Sequence, residues 1–224
     1  MIKLTTNKEL DYEMYQEVSG MSFGGINFGN KITANHPFIT KENHKQYIDD
    51  YYVKHEPEIK DFILETQTNI DKTQFDFFNA VENIFGEDYS KDFYTGFVSI
   101  FDCNPRWPET KSFQINLTRT GLRGLEIIYH ESLHFVFFDY CDKYLTDETS
   151  EYSKNDGILW ELSEIFDTII LNLPDFRTIL VNEEEVSYPA LSEKTEHIKQ
   201  IWNKYPNDVK TVILESLKYL NKNK

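Results

Sequence analysis

Hydrophobic residues recur along most of the chain at spacings of three and four, the period of amphipathic helices. Before residue 90 this pattern predicts helices over residues 6–18, 41–67 and 72–85. Pro57 lies inside the second of them and is expected to kink or divide it. The buried side of the third is predicted from residues spaced by three: Phe75, Phe78, Val81 and Ile84. Helices resume near Gly121 and continue to the end of the chain, so the protein is expected to be predominantly helical.

A stretch with strand character separates the two helical parts. Residues 94–103 are rich in β-branched and aromatic side chains, and residues 104–108 have the composition of a turn. Residues 112–118 then alternate between apolar and polar with a period of two, as a half-exposed strand does. A small sheet beside a majority of helices predicts the α+β class.

Charge excludes two classes of partner. The 224 residues include 23 Lys and Arg against 38 Asp and Glu, which gives a net charge of −15. Nucleic acid and anionic membrane surfaces both require a basic footprint, so neither is an expected partner. No apolar run approaches the ~20 residues of a membrane span, and no signal peptide is recognisable. These features predict a cytoplasmic protein, and they indicate no particular oligomeric state.

The sequence His130-Glu131-x-x-His134 lies in the first helix after the strand region. On a helix, positions i and i+4 share a face, so both imidazoles can reach one tetrahedral Zn²⁺ with Zn–N bonds of about 2.0–2.1 Å. Glu131 lies at the edge of that face, where it can hold a water rather than the metal. The helix is apolar nearly all round, and buried polar side chains on it need partners. A pair of core histidines with a surface glutamate is the alternative interpretation.

A second amphipathic helix follows over residues 156–171. Its expected core stripe is Ile158, Leu162, Ile165, Phe166 and Ile169. Glu164 lies beside that stripe, and Asp167 lies one turn further. With His-Glu-x-x-His on one helix and a glutamate on a later one, residues 95–172 resemble a gluzincin, a type of zinc metallopeptidase. The metzincin subclass is excluded, because its motif continues with Gly and His where this chain has Phe137 and Tyr140.

The resemblance assigns roles to four residues: His130, His134 and Glu164 as zinc ligands, and Glu131 as general base. It further implies that Asp167 orients a ligand histidine, a common task of a carboxylate behind a metal site. Gluzincins commonly have this aspartate four residues after the ligand glutamate, whereas Asp167 is three residues after Glu164. Glu161 therefore remains an alternative third ligand, and a solvated helix face is the alternative for both glutamates.

The resemblance also implies two further parts of a substrate cleft. Gluzincins have a strand edge along the cleft, and residues 113–118 would play that part by pairing with an extended peptide backbone. A strand fully paired within its own sheet is the alternative. Members usually add a Tyr or His that steadies the oxyanion, for which Tyr188 and His197 are the candidates. A packing tyrosine and a surface histidine are the alternatives for these two.

The same resemblance predicts the domain organisation and the activity. The chain is expected to be a single zincin-like unit over residues 1–224, with a small sheet beside the active-site helix. A helical and sheet portion over 1–145 would end in that helix, and a helical portion over 156–224 would carry the third ligand. The expected activity is zinc-dependent hydrolysis of amide bonds in a peptide or protein substrate. The alternative is a catalytically inactive zincin-like binding or regulatory protein, with a structural metal or none.

Overall fold

Helices make up 70% of the structure and a four-stranded sheet is the other main element, which confirms the α+β, mostly helical class. The computed structural model describes residues 1–23, 26–180, 188–206 and 208–223. Its strands are β1 Ile2–Thr6, β2 Ser22–Phe23, β3 Ile26–Asn27, β4 Tyr94–Ser99, β5 Arg106–Trp107 and β6 Ser112–Asn116. Its helices are α1 Lys8–Val18, α2 Phe28–Asn35, α3 His44–Lys54, α4 Glu56–Phe85, α5 Gly121–Tyr144, α6 Thr146–Thr149, α7 Gly157–Leu171, α8 Pro174–Leu180, α9 Ser192–Lys204 and α10 Val209–Lys222.

The chain folds as two compact units. The first comprises residues 1–72 and 93–128 and contains the four-stranded sheet with α1 to α3. The second comprises residues 73–92 and 129–224 and contains α6 to α10. The boundaries fall inside α4 and inside α5, so each of these helices contributes to both units. The organisation of residues 1–224 as a single zincin-like unit stays a prediction.

The sheet of the first unit has the order β1-β4-β6-β5. β4 runs parallel to β1 and to β6, and β5 runs antiparallel to β6. Gly96 of β4 lies opposite Leu4 on one side and Phe113 on the other. A Cβ at position 96 would lie 2.5 Å from the Leu4 side chain and 2.9 Å from the Phe113 ring. Glycine is therefore required at the centre of the sheet, because both neighbouring side chains close over it.

β6 differs from the expected half-exposed edge strand. It lies inside the sheet between β4 and β5, and all five of its residues are buried. Gln114 N, beyond the two residues paired with β5, donates a hydrogen bond to Pro105 O at 2.8 Å. Residues 112–114 therefore offer no edge to an extended peptide, because β5 and Pro105 occupy that side of the strand. An edge over residues 115–118 stays a prediction.

Asp11 of α1 is completely buried in the first unit, where its carboxylate accepts four hydrogen bonds. Tyr52 OH and Ile100 N donate to Oδ2 at 2.9 and 3.2 Å. Ser99 Oγ and Gln114 Nε2 donate to Oδ1 at 2.6 and 2.8 Å. Burial raises the pKa of Asp11, the four hydrogen bonds oppose that effect, and the resulting pKa is about 6. The carboxylate thus ties α1 to α3 and to the sheet.

α4 is one continuous helix where the residue pattern predicts two. Pro57 falls in its first turn, where a missing backbone N–H costs nothing, and the division from α3 comes at His55. Phe75 is 70% exposed, so its predicted burial is wrong, whereas Phe77 is 0% exposed. Among the described residues, no helix combines the length and the apolar character that crossing a membrane requires.

The core of the second unit is built on α7. Its predicted stripe is buried throughout: Ile158, Leu162, Ile165, Phe166 and Ile169. The ring of Phe166 lies 5.0 Å from that of Phe137 on α5 and 5.6 Å from that of Trp202 on α9. The part of α5 in this unit is also almost entirely buried, as its apolar sequence predicts. Because α5 and α7 share this core, the polar side chains of both helices are brought together inside it.

Candidate metal centre

His130 and His134 lie one turn apart on α5, and their Nε2 atoms lie close together. Their Nε2 atoms are 3.2 Å apart, and the two rings are nearly perpendicular, at 86°. The His134 side chain is 0% exposed, whereas that of His130 is 17% exposed. The Phe138 ring, one further turn along α5, stacks on His134 at 6.1 Å. The pair therefore lies in an apolar interior that reaches solvent on the His130 side.

Glu164 of α7 joins the two histidines. Its Oε2 lies 3.3 Å from His130 Nε2, and its Oε1 lies 3.3 Å from His134 Nε2. Ligand atoms bound at about 2.05 Å around a tetrahedral zinc are separated by about 3.3 Å, the edge of the tetrahedron. The Nε2–Nε2 separation of 3.2 Å matches that edge, and Glu164 reaches the two histidines through different oxygens, Oε2 and Oε1, each at 3.3 Å. Two imidazole nitrogens and a carboxylate are ligands that zinc binds, so the donor set fits a zinc ion.

Two opposing effects act on the Glu164 carboxyl, which is 3% exposed. Burial by itself raises the pKa of Glu164, because a charged carboxylate is poorly solvated inside the protein. The charge of His134, hydrogen bonds from both histidines and the charge of His130 outweigh burial and hold that pKa well below its usual value. In this arrangement the positive charge that compensates the Glu164 carboxylate is that of protonated histidines, a place that a bound cation would take over when the histidines are neutral.

Asp167 and Ser163 of α7 approach the other nitrogen of His134. Asp167 Oδ2 and Ser163 Oγ each lie 3.0 Å from His134 Nδ1, and Ser163 Oγ donates to Trp160 O at 2.8 Å. Asp167 Oδ2 is also 4.0 Å from His130 Nε2. His130, His134 and Asp167 thus form a second group of donors close enough to hold a metal, with all three ligand atoms within 4.8 Å of one another.

The remaining two glutamates of the predicted site have different surroundings. Glu131 follows His130 on α5, and its side chain is buried at 5% exposure. Glu161 lies on α7 about one turn before Glu164, is one quarter exposed, and forms an ion pair with Lys194 of α9 at 2.5 Å. The structure therefore brings Glu164 to the histidines, while the carboxylate of Glu161 is engaged by a lysine.

The two proposed oxyanion donors lie on different surfaces of the second unit. Tyr188 is 39% exposed, and its ring lies 6.1 Å from that of Trp160, which is one turn before Glu164 on α7. His197 is exposed on α9 and stacks on Tyr219 of α10 at 3.8 Å. Tyr188 is thus placed beside the helix that carries Glu164, whereas His197 is engaged at the contact between α9 and α10.

No family model matches this chain, and no curated protein and no solved structure is significantly similar to it. Function is therefore inferred from the chemistry of the centre itself. The relevant features are the motif on α5, the carboxylates of α7 and the separations between them.

Proposed function

We propose that this protein is a zincin-like zinc metallopeptidase of the gluzincin type, which hydrolyses amide bonds in a peptide or protein substrate. The observation that carries the proposal is the convergence of two Nε2 atoms, 3.2 Å apart, with the Glu164 carboxylate, whose Oε2 and Oε1 lie 3.3 Å from His130 and His134 respectively. Three protein ligands leave a fourth position of a tetrahedral zinc open, which is the arrangement of catalytic rather than structural zinc sites.

His130, His134 and Glu164 would hold the zinc. The bound ion would supply Lewis-acid polarisation of the scissile carbonyl and would lower the pKa of a coordinated water to about 7. Glu161 has no part in this assignment, because Lys194 already neutralises its carboxylate. The 17% exposure of His130 gives the centre its access to solvent and substrate.

Glu131 would be the general base. It accepts a proton from the attacking water as the oxygen bonds to the carbonyl carbon, and it delivers that proton to the amine nitrogen as the C–N bond breaks. It follows His130 on α5, and its burial at 5% exposure would shield the proton transfer from bulk water. Tyr188, beside Trp160, is the better placed of the two candidates for an oxyanion donor.

A zincin-like binding or regulatory protein without catalytic activity is the second candidate, and Asp167 is the residue that favours it. With Oδ2 4.0 Å from His130 Nε2, Asp167 is close enough to become a fourth ligand and close the site. The 3.0 Å separation from His134 Nδ1 favours the other role, in which Asp167 supports a ligand from behind. Zinc coordination by protein atoms alone would mark the binding protein, and an open position would mark the peptidase.

The test uses protein purified without a nickel column and compares wild type with Glu131→Gln and His130→Ala. We expect near one zinc per chain in wild type and in Glu131→Gln, and loss of zinc in His130→Ala. Hydrolysis of a quenched fluorescent peptide library should fall by about 10²–10⁴-fold in Glu131→Gln, the usual contribution of a general base. Equal hydrolysis by wild type and Glu131→Gln would reject the mechanism, and zinc binding without any hydrolysis would favour the binding protein.

A further inference from the structure

Both ring nitrogens of His134 face polar side chains of the centre. Nε2 faces His130 and Glu164 at 3.2 and 3.3 Å. Nδ1 faces Asp167 and Ser163, each at 3.0 Å. The ring can offer a lone pair at Nε2 only when its proton is on Nδ1, so the partners of Nδ1 decide whether the ring is ready to bind a cation.

The hydrogen-bond direction at Ser163 follows from its other contact. Its hydroxyl has a single proton, which is donated to Trp160 O at 2.8 Å in the preceding turn of α7. The Ser163 oxygen therefore faces His134 Nδ1 with a lone pair and accepts a hydrogen bond. The Asp167 carboxylate likewise only accepts. The hydrogen bond to Ser163 thus requires a proton on Nδ1, and the negative charge of Asp167 at 3.0 Å favours that proton.

The spacing along α7 explains why two oxygens meet one nitrogen. Ser163 and Asp167 are four residues apart, so they lie one above the other on one face of the helix. Glu164 is the next residue round the helix and faces Nε2 instead. A single segment of α7 therefore contacts both nitrogens of the His134 ring. The aspartate lies three rather than four residues after Glu164, and the serine directly before Glu164 completes the pair of acceptors.

We propose that Ser163 is a positioning residue of the centre: together with Asp167 it fixes the Nδ1–H tautomer and the ring plane of His134, which leaves the Nε2 lone pair available to a metal. This inference rests on the proposed function, because it concerns the same ligand. Ser163 contributes an acceptor without adding charge. Ser163 accepts the hydrogen bond that directs the Nδ1–H, so loss of its hydroxyl loosens the ring plane even when the charge of Asp167 remains.

The test compares Ser163→Ala with Ser216→Ala, a matched control. Ser216 of α10 is also completely buried, and among the described residues its hydroxyl has no hydrogen-bond partner. Competition with a chromogenic chelator should show about 10-fold weaker zinc binding in Ser163→Ala, the lower end of the range for residues that support a metal ligand. Ser216→Ala should bind as wild type does. Ser163→Thr, which retains the hydroxyl, should recover most of the affinity.

A second measurement on the metal-free protein is independent of zinc and of hydrolysis. The Nδ1-bound proton of His134 should give a protected downfield NMR resonance in wild type and Ser216→Ala, and should shift or exchange faster in Ser163→Ala. An unchanged resonance together with wild-type zinc affinity in Ser163→Ala would overturn the inference. If wild type binds no zinc, the proposed function fails, and this resonance alone decides the role of Ser163: a change in Ser163→Ala supports it, and no change overturns it.

Discussion

Two buried carboxyl groups, one in each unit, have pKa values that are shifted in opposite directions. Asp11 in the first unit receives four hydrogen bonds from uncharged donors, and its pKa is raised to about 6. Glu164 in the second unit faces two imidazoles, and its pKa is held well below the usual value. Both are nearly inaccessible to solvent, at 0% and 3% exposure. Burial alone therefore does not determine the pKa of a carboxyl group, because the charge of its partners can outweigh it.

Asp11 and Glu164 differ in the kind of partners that surround them: those of Asp11 suit a structural anchor, and those of Glu164 suit a candidate cation site. Four neutral donors orient Asp11 between a helix and a sheet without supplying a compensating positive charge. Glu164 instead lies where two nitrogen lone pairs and a negative charge can converge on one ion. An ion at that point compensates the buried charge, which is the usual condition for a charged group inside a protein.

The sharpest way to test the cation site is to neutralise each glutamate of α7 in turn. Glu164→Gln should weaken zinc binding by more than about 100-fold, beyond the 10–100-fold range of residues that only support a ligand. Glu161→Gln, the same substitution about one turn away, should leave zinc binding unchanged because Lys194 engages that carboxylate. Zinc titration of both variants decides the third ligand, and the reverse result would assign it to Glu161.

The raised pKa of Asp11 predicts that the stability of the protein depends on pH. A carboxyl with a pKa of about 6 in the folded state and about 3.9 in the unfolded state binds its proton more tightly when folded. Its contribution to stability is therefore complete below about pH 4 and is lost as the pH rises through 6, with a total of about 3 kcal/mol. Urea unfolding of wild type and Asp11→Asn at several pH values measures this difference. A difference that does not depend on pH would contradict the prediction.

The sheet that Asp11 anchors offers a smaller test that leaves both carboxylates in place. Gly96→Ala forces a methyl group against Leu4 and Phe113, at 2.5 and 2.9 Å, and should destabilise the protein by about 1–3 kcal/mol. Gly20→Ala is the control, because a Cβ there meets nothing within 4 Å. Thermal unfolding should separate the two variants, and zinc affinity should be the same in both. Equal stability of Gly96→Ala and wild type would show that the sheet yields at this point.

The smallest effect is expected at the ion pair that keeps Glu161 away from the centre. Both partners are partly exposed, with 29% of Lys194 and 25% of Glu161 accessible. A double-mutant cycle with Lys194→Met and Glu161→Gln should give a coupling free energy of about 0.2–1 kcal/mol. If Lys194→Met instead altered zinc affinity, the freed Glu161 would be reaching the histidines.

The residue pattern predicts the proximity of His130, His134 and Glu164 better than it predicts the sheet. The spacing of the histidines and the position of Glu164 beside an apolar stripe indicate shared helix faces, and the structure brings the three side chains together. Their role as zinc ligands stays a prediction. Ser163 was missed, since a single serine on a helix has no distinguishing pattern, although its four-residue spacing from Asp167 was available. β1 was missed because Ile2 and Leu4 provide only two buried positions of an alternation.

The error at Phe75 has a geometric cause. Successive steps of three residues rotate by 300°, so a set spaced only by threes turns gradually around the helix. The buried residues in this part of α4 are not spaced by threes: Phe77, Phe78, Ala80, Val81 and Phe85. The polar residues 66–72 contain no Gly or Pro, so nothing in them ends a helix, and α4 continues through them. The turn composition of residues 104–108 does not predict that β5 pairs with β6.

The parallel pairing of β1 with β4 imposes a delay between synthesis and pairing. β1 leaves the ribosome before its partner, Tyr94–Ser99, which follows about 90 residues later. The Asp11 contacts to Ser99 and Gln114 span 88 and 103 residues. At ordinary elongation rates the apolar side chains of β1 and α1 wait for several seconds before their partners emerge. This interval is when the nascent chain is most exposed to aggregation and most dependent on chaperones.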